Sequence, residues 1–180
     1  SSAWSSARTA EGYRTDVNPL GILVSHAHMD HIGFVSFLLP DTPVIATATT
    51  ALIAKSMQDT GLGSMSAEVV YHNTRQEVEQ ILRSDSKAQL ERRPWLIVDN
   101  ANWSSAADRF WAESYRAQGT VAGHNAARFT GSIGPFTVCA FDVDHSIPGA
   151  SAYAAETSEG WVVYTGDFRM HGRRGVFTKN

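Results

Sequence analysis

Three observations predict an α/β fold for this chain. Short apolar, strand-like runs alternate with helix-like segments from Gly21 onward, and the last third is rich in β-forming residues. Of the 180 residues, 43% are hydrophobic and 18% charged, which suits one globular domain and excludes disorder as the dominant state. The formal net charge of −3 supplies no overall drive toward nucleic acid or anionic membrane, so any such binding has to be local. Cys139 stands alone, which rules out an intrachain disulfide and a cysteine-built zinc ribbon. A lone thiol is compatible with a reducing compartment, and the expectation is a cytoplasmic location. Apolar runs such as 21–24 and 37–39 fall far short of the ~18 residues of a membrane span, so no membrane partner is expected.

Residues 1–18 are polar, Ser-rich and aperiodic, and read as an arm or loop without the positive-then-apolar order of a signal peptide. Residues 19–180 read as one domain. Gly21-Ile22-Leu23-Val24-Ser25 is a strand, and Ile32 to Leu39 fits a helix stopped by Pro40. Pro43 to Ala46 is a second strand, and Thr47 or Thr49 caps a helix reaching about Asp59, closed by Gly61 and Gly63. A helical insert is expected at about 64–118, because Val69, Val70, His72, Val78, Ile81 and Leu82 recur among charges at mixed three and four spacings. Within it, Trp95 to Val98 is a strand or buried edge, and Ser104 to Gln118 is a helix with a core-facing stripe at Phe110, Trp111 and Tyr115. Strands follow at Phe136 to Val143, Ala150 to Glu156 and Trp161 to Thr165.

The chemistry-bearing segment is Ser25-His26-Ala27-His28-Met29-Asp30-His31-Ile32-Gly33, between an apolar strand and a helix. Three of the seven histidines and an aspartate fall within six residues, a density that surface chance rarely produces. On a strand-to-helix turn, side chains two apart can converge on one cation while the Asp and the last His face a second. Imidazole and carboxylate suit zinc, manganese or iron. Two such ions, typically ~3.5 to 4 Å apart, share and activate one water.

The string His26-x-His28-x-Asp30-His31 resembles the signature of the metallo-β-lactamase fold superfamily, an αββα sandwich with a metal site at its sheet edges. Two later motifs of that superfamily stand in order here: Asp144-His145-Ser146-Ile147-Pro148-Gly149 after one strand, and Tyr164-Thr165-Gly166-Asp167 ending another. The resemblance implies His26, His28 and His145 around one metal, and Asp30, His31 and a bridging Asp167 around the other. Asp30 is also implied to orient or deprotonate the attacking water. The expected cofactors are two divalent ions, Zn2+ first, with Mn2+ or Fe2+ as alternatives.

The words around the ligands are more selective. His145-Ser146-Ile147-Pro148 followed by Thr165-Gly166-Asp167-Phe168-Arg169 is similar to the β-CASP nucleases, closest to ribonuclease J-like RNA-processing enzymes. That similarity implies phosphodiester hydrolysis of RNA by a hydroxide activated between the two metals. Ser146, Arg169 and His171 are candidate substrate contacts, and Arg173 and Arg174 candidate phosphate contacts. His171 alternatively substitutes for a further His ligand that the superfamily places later. The opening strands and the β-CASP domain find no match, so the sandwich is expected to be partial at both ends, with exposed strand edges that favour a homo-oligomer or another chain as partner. Two alternatives stay open: hydrolysis of a small ester, thioester or β-lactam on the same fold, and an inactive metal-binding fragment or interaction domain.

Overall fold

The computed structural model describes residues 19–61, 63, 65–73, 75–84, 90–113, 121–123, 125–172 and 175–179. The polar arm at 1–18, Tyr115, His124, Arg173 and Arg174 lie outside the described residues.

The chain enters as β1 (Ile22–Leu23), turns through the histidine cluster into the single-turn helix α1 (Met29–Ile32), and continues as a 3-10 segment (Gly33–Phe37). The helix expected from Ile32 to Leu39 is therefore replaced: the α-turn forms earlier, inside the cluster, and tightens to 3-10 where Gly33 and β-branched Val35 weaken the α form. Strand β2 (Val44–Ala46) pairs parallel with β1, Ile22 opposite Val44. Helix α2 (Ala48–Thr60) is capped by Thr47, whose hydroxyl accepts from Thr50 N–H, and ends where Gly61 N–H donates to the Met57 carbonyl.

The described residues between Glu68 and Arg83 form short strands and turns instead of a helix. A 3-10 turn (Met65–Ala67) leads into β3 (Tyr71–His72), and β4 (Arg75–Val78) and β5 (Ile81–Ser84) form an antiparallel hairpin. The apolar residues at Val78 and Ile81 face each other across the two-residue turn Glu79-Gln80, both at positive φ of 54° and 64°. Their three-residue spacing thus reflects cross-strand pairing and not one helical face. The helical insert reduces to one helix among the described residues of 64–118. Strand β6 (Glu91–Arg92) pairs with β3, and β7 (Trp95–Ile97) joins β2 in parallel. Helix α3 (Ser105–Ala112) follows, its first turn capped by Ser104.

Two short strands, β8 (Ala122–Gly123) and β9 (Ala127–Arg128), add to β6 and β7 respectively. The last third is an antiparallel sheet of β10 (Ser132–Ile133), β11 (Phe136–Asp142), β12 (Ser151–Thr157) and β13 (Gly160–Tyr164), in that order. A short helix, α4 (Gly175–Lys179), closes the described chain.

The layers follow from which faces are apolar. One side of the parallel sheet β1-β2-β7-β9 buries Val44, Ala46, Trp95 and Ile97 against Ala51 and Ala54 of α2 and Trp111 of α3. The other side buries Ile45, Leu23 and Leu96 against Val138, Tyr153 and Ala155 of the antiparallel sheet, with Phe129 between them. Tyr153 crosses the sheet interface, donating to the Val24 carbonyl at 3.0 Å. By strand alternation the outer face of the antiparallel sheet carries Phe141, Trp161 and Val163, all more than half exposed. Among the described residues the order is therefore helices, parallel sheet, antiparallel sheet. No described helix is long and apolar enough to cross a membrane.

Candidate metal centre

The centre forms at one edge of the two-sheet stack, where four chain segments end. His26 and His28 follow β1, and Asp30 and His31 ride on α1. His145 sits in the loop between β11 and β12, and Asp167 in the loop after β13.

Two loop contacts bring these ends together. The 144–149 loop docks on the start of α2, where the Gly149 carbonyl accepts from Thr47 Oγ1 at 2.8 Å and Thr50 Oγ1 at 2.9 Å. Gly149 has φ of +85°, and a Cβ there would meet Thr49 Cβ at 2.8 Å, so only glycine permits this approach. The loop carrying Asp167 passes Ser25 equally closely: Gly166, at φ of +58°, would place a Cβ 2.5 Å from Ser25 Cβ.

Around the centre, His145 Nε2 stands 3.3 Å from His28 Nδ1, and the His26 ring centroid is 4.5 Å from that of His145 and 4.1 Å from that of His31. His31 Nε2 is 3.4 Å from Asp167 Oδ2, which also lies 3.9 Å from His145 Nε2. Two donor groups result, each with its atoms within 4.8 Å of one another: His26, His28 and His145, and His26, His31 and Asp167. His26 belongs to both. Asp30 is set at the rim with its side chain 80% exposed, and reaches the second group through Oδ2, 3.6 Å from His31 Nε2.

His26 is fully buried, and its Nε2 has no hydrogen-bond partner while Nδ1 lies 3.0 Å from Ser25 Oγ. Burial foremost, then the imidazoles of His31, His145 and His28, push its pKa down to about 4, with Asp167 opposing. His145 is likewise lowered, by burial first and then by His28, Arg169 and His31. Both rings are thus neutral at neutral pH, the form that binds cations. A buried ring nitrogen without a partner, amid imidazoles and a carboxylate, fits a divalent cation by position and donor chemistry.

Of the candidate substrate contacts, Ser146 is exposed with Oγ 3.4 Å from His145 Nε2. Arg169 is engaged internally: Nη2 donates to the His145 carbonyl at 2.6 Å and lies 3.4 Å from Asp144 Oδ1. It thereby ties the two ligand loops to each other. His171 is exposed and belongs to neither donor group. Two residues beside the centre escaped the sequence reading. Ser25 and Tyr164 stand within hydrogen-bond reach of ligands, and the only advance signal was their place at strand ends next to ligand positions.

No protein-family model and no curated protein matches the chain. Among solved structures, a protein of unknown function from Enterococcus faecalis V583 is similar with a TM-score of 0.48 and 22% identity, over 88% of this chain and 27% of that one. The chain therefore spans about a quarter of that protein's length, and so distant a likeness carries no argument about function.

Proposed function

We propose that the chain is a metal-dependent hydrolase built as a metallo-β-lactamase-type αββα sandwich, with RNA phosphodiesters as its substrate. The observation that carries this reading is the unpartnered, buried Nε2 of His26 at the joint of two His/Asp donor groups. The order of helices, parallel sheet and antiparallel sheet supports the sandwich. The substrate class rests on the Ser146 to Gly149 and Thr165 to Arg169 wording around the ligands.

Two divalent cations, Zn2+ by donor type, would supply Lewis acidity that lowers the pKa of water and offsets charge on the phosphate oxygens. His26, His28 and His145 would hold one, and His26 or its neighbour His31 with Asp167 the other. The chain's own residues supply position and proton handling. Neutral His26 and His145 keep their lone pairs directed inward, and Arg169 fixes the His145 carbonyl so that its imidazole stays on the pair. Asp30, exposed at the rim, accepts at Oδ2 the proton released by the attacking water. Ser146, on the open side, donates to a phosphate oxygen.

The test combines metal stoichiometry with turnover. The chain is expected to take up two Zn2+ and to cleave a single-stranded RNA oligonucleotide, and His28→Ala and Asp167→Ala to lose at least about 100-fold in cation affinity together with cleavage. A fully loaded chain that leaves RNA intact but opens a chromogenic β-lactam or a thioester ends the RNA assignment. A wild-type chain that takes up no divalent cation ends the metal reading altogether.

A further inference from the structure

Tyr164 was no part of the site as read from sequence, yet its hydroxyl lies where the two sheets meet the histidine turn. Its Oη is 3.4 Å from His31 Nδ1 and 3.4 Å from Ser25 Oγ, and Ser25 Oγ is 3.0 Å from His26 Nδ1. We propose that Tyr164 is a positioning residue that, with Ser25, holds His26 and His31 in the one tautomer that offers Nε2 to a cation. The proposal rests on the metal reading of the preceding section and names a device within that site.

Proton counting sets the direction of each bond. His31 Nε2 lies 3.4 Å from the Asp167 carboxylate and 3.6 Å from that of Asp30; a cation held there would take the Nε2 lone pair, so in the ligating form the hydrogen sits on Nδ1. Tyr164 Oη then accepts. His26 Nε2 is the buried nitrogen without a partner, so Nδ1–H donates to Ser25 Oγ, and the Ser25 hydroxyl proton passes to Tyr164 Oη. The phenolic oxygen thus accepts twice, and its own proton is left for the exposed side of the ring, which is 44% accessible. Ligating histidines as a rule donate their other ring N–H to an oxygen, which orients the ring and raises its basicity. Here one phenol does so for two of the three members of the His26, His31 and Asp167 group, one directly and one through a serine. The Tyr164 hydroxyl reaches Ser25 and His31 and not His28 or His145, so the effect falls unequally on the two donor groups.

Tyr164→Phe removes the acceptor and keeps the ring. Titration of Zn2+ against a chromogenic chelator, and the visible absorption of the Co2+-loaded chain, read the result without any turnover. The expected outcome is a loss of about 10-fold or more in affinity for one of two cations, a smaller change for the other, and a shifted Co2+ spectrum. The metal-free unfolding midpoint stays at the wild-type value, because Tyr164 sits on the exposed edge strand. Ser25→Ala is expected to weaken cation binding through His26, and the double variant to lose less than the sum of the two, as members of one relay do. Two equal affinities and an unchanged spectrum in Tyr164→Phe overturn the proposal, as do strictly additive losses. A wild-type chain that binds no cation removes the metal reading and this device with it; a wild type that binds two while Tyr164→Phe titrates identically removes the device alone.

Discussion

Two polar clusters flank α2, one buried and one open to the rim, and they differ in whether their hydrogen bonds close. Beneath the helix, Lys55 Nζ meets Asp59 Oδ2 at 2.5 Å, Tyr71 donates its hydroxyl to Asp59 Oδ1 at 2.5 Å, and Lys55 lies 4.4 Å over the Phe110 ring. Gln58 completes the cluster, giving its amide N–H to the Tyr71 carbonyl and accepting from Val70 and Tyr71 N–H. Donors and acceptors match, so this cluster holds β3 to α2 and asks for nothing more. At the helix's N-terminal end, four imidazoles and two carboxylates collect acceptors without enough donors, and His26 Nε2 is left over. A closed network is a structural joint, whereas an open one of this composition has the donor chemistry that could hold a cation.

Breaking the closed cluster gives the largest expected effect. Lys55→Met leaves the Asp59 carboxylate buried without its counter-charge and is expected to destabilise the chain by about 3 to 5 kcal/mol in denaturant unfolding. Lys55→Met with Asp59→Leu is expected to recover part of that loss, since both charges go together while the Tyr71 hydroxyl loses its Asp59 acceptor. Zn2+ affinity should remain at the wild-type value in the double variant. A drop in affinity there would show that the two clusters are coupled and spoil the contrast.

The open cluster responds to pH through His26. The folded state holds the His26 pKa at about 4, below the value near 6.5 of an unfolded histidine. Between these values the unfolded chain binds the extra proton, so metal-free stability is full above about 6.5 and falls as pH drops toward 4, by on the order of 3 kcal/mol. Chemical denaturation of the metal-free chain at stepped pH checks the sign, and a stability that rises on acidification over that window contradicts it.

How much of this was legible beforehand depends on how local each feature is. The His26 to His31 cluster is contiguous, so its density alone announced it, and the strands at 136–142, 151–157 and 160–164 were marked by their β-branched and aromatic residues. The region from 68 to 83 misled because a hairpin turn at Glu79-Gln80 lacks the Asn or Gly that usually marks left-handed positions, while its flanking apolar residues imitate helical spacing. Ser25 and Tyr164 are 139 residues apart, and only the packing of the two sheets makes them neighbours. Local pattern carries no information about that register. The sharing of His26 between both donor groups, and the rim position of Asp30, likewise depend on ring placement that spacing leaves undetermined.

Arg169 is the smallest and sharpest case, because a positive charge beside the proposed site suggests one role and geometry another. Its guanidinium turns back on the His145 carbonyl at 2.6 Å, and its backbone N–H donates to the Asp144 carbonyl, also at 2.6 Å. The Asp144 N–H in turn donates to Thr178 Oγ1 at 2.8 Å, so α4 anchors the same loop from the other side. Arg169→Met removes the guanidinium bonds and leaves the backbone bond in place, and a partly exposed charged hydrogen bond is worth about 1 kcal/mol. The expected result is a loss of about fivefold in Zn2+ affinity, read by chelator competition, because a looser 144–146 loop holds His145 less firmly against His28. A direct substrate contact would act differently: cation affinity would stay unchanged while KM for an RNA oligonucleotide rose.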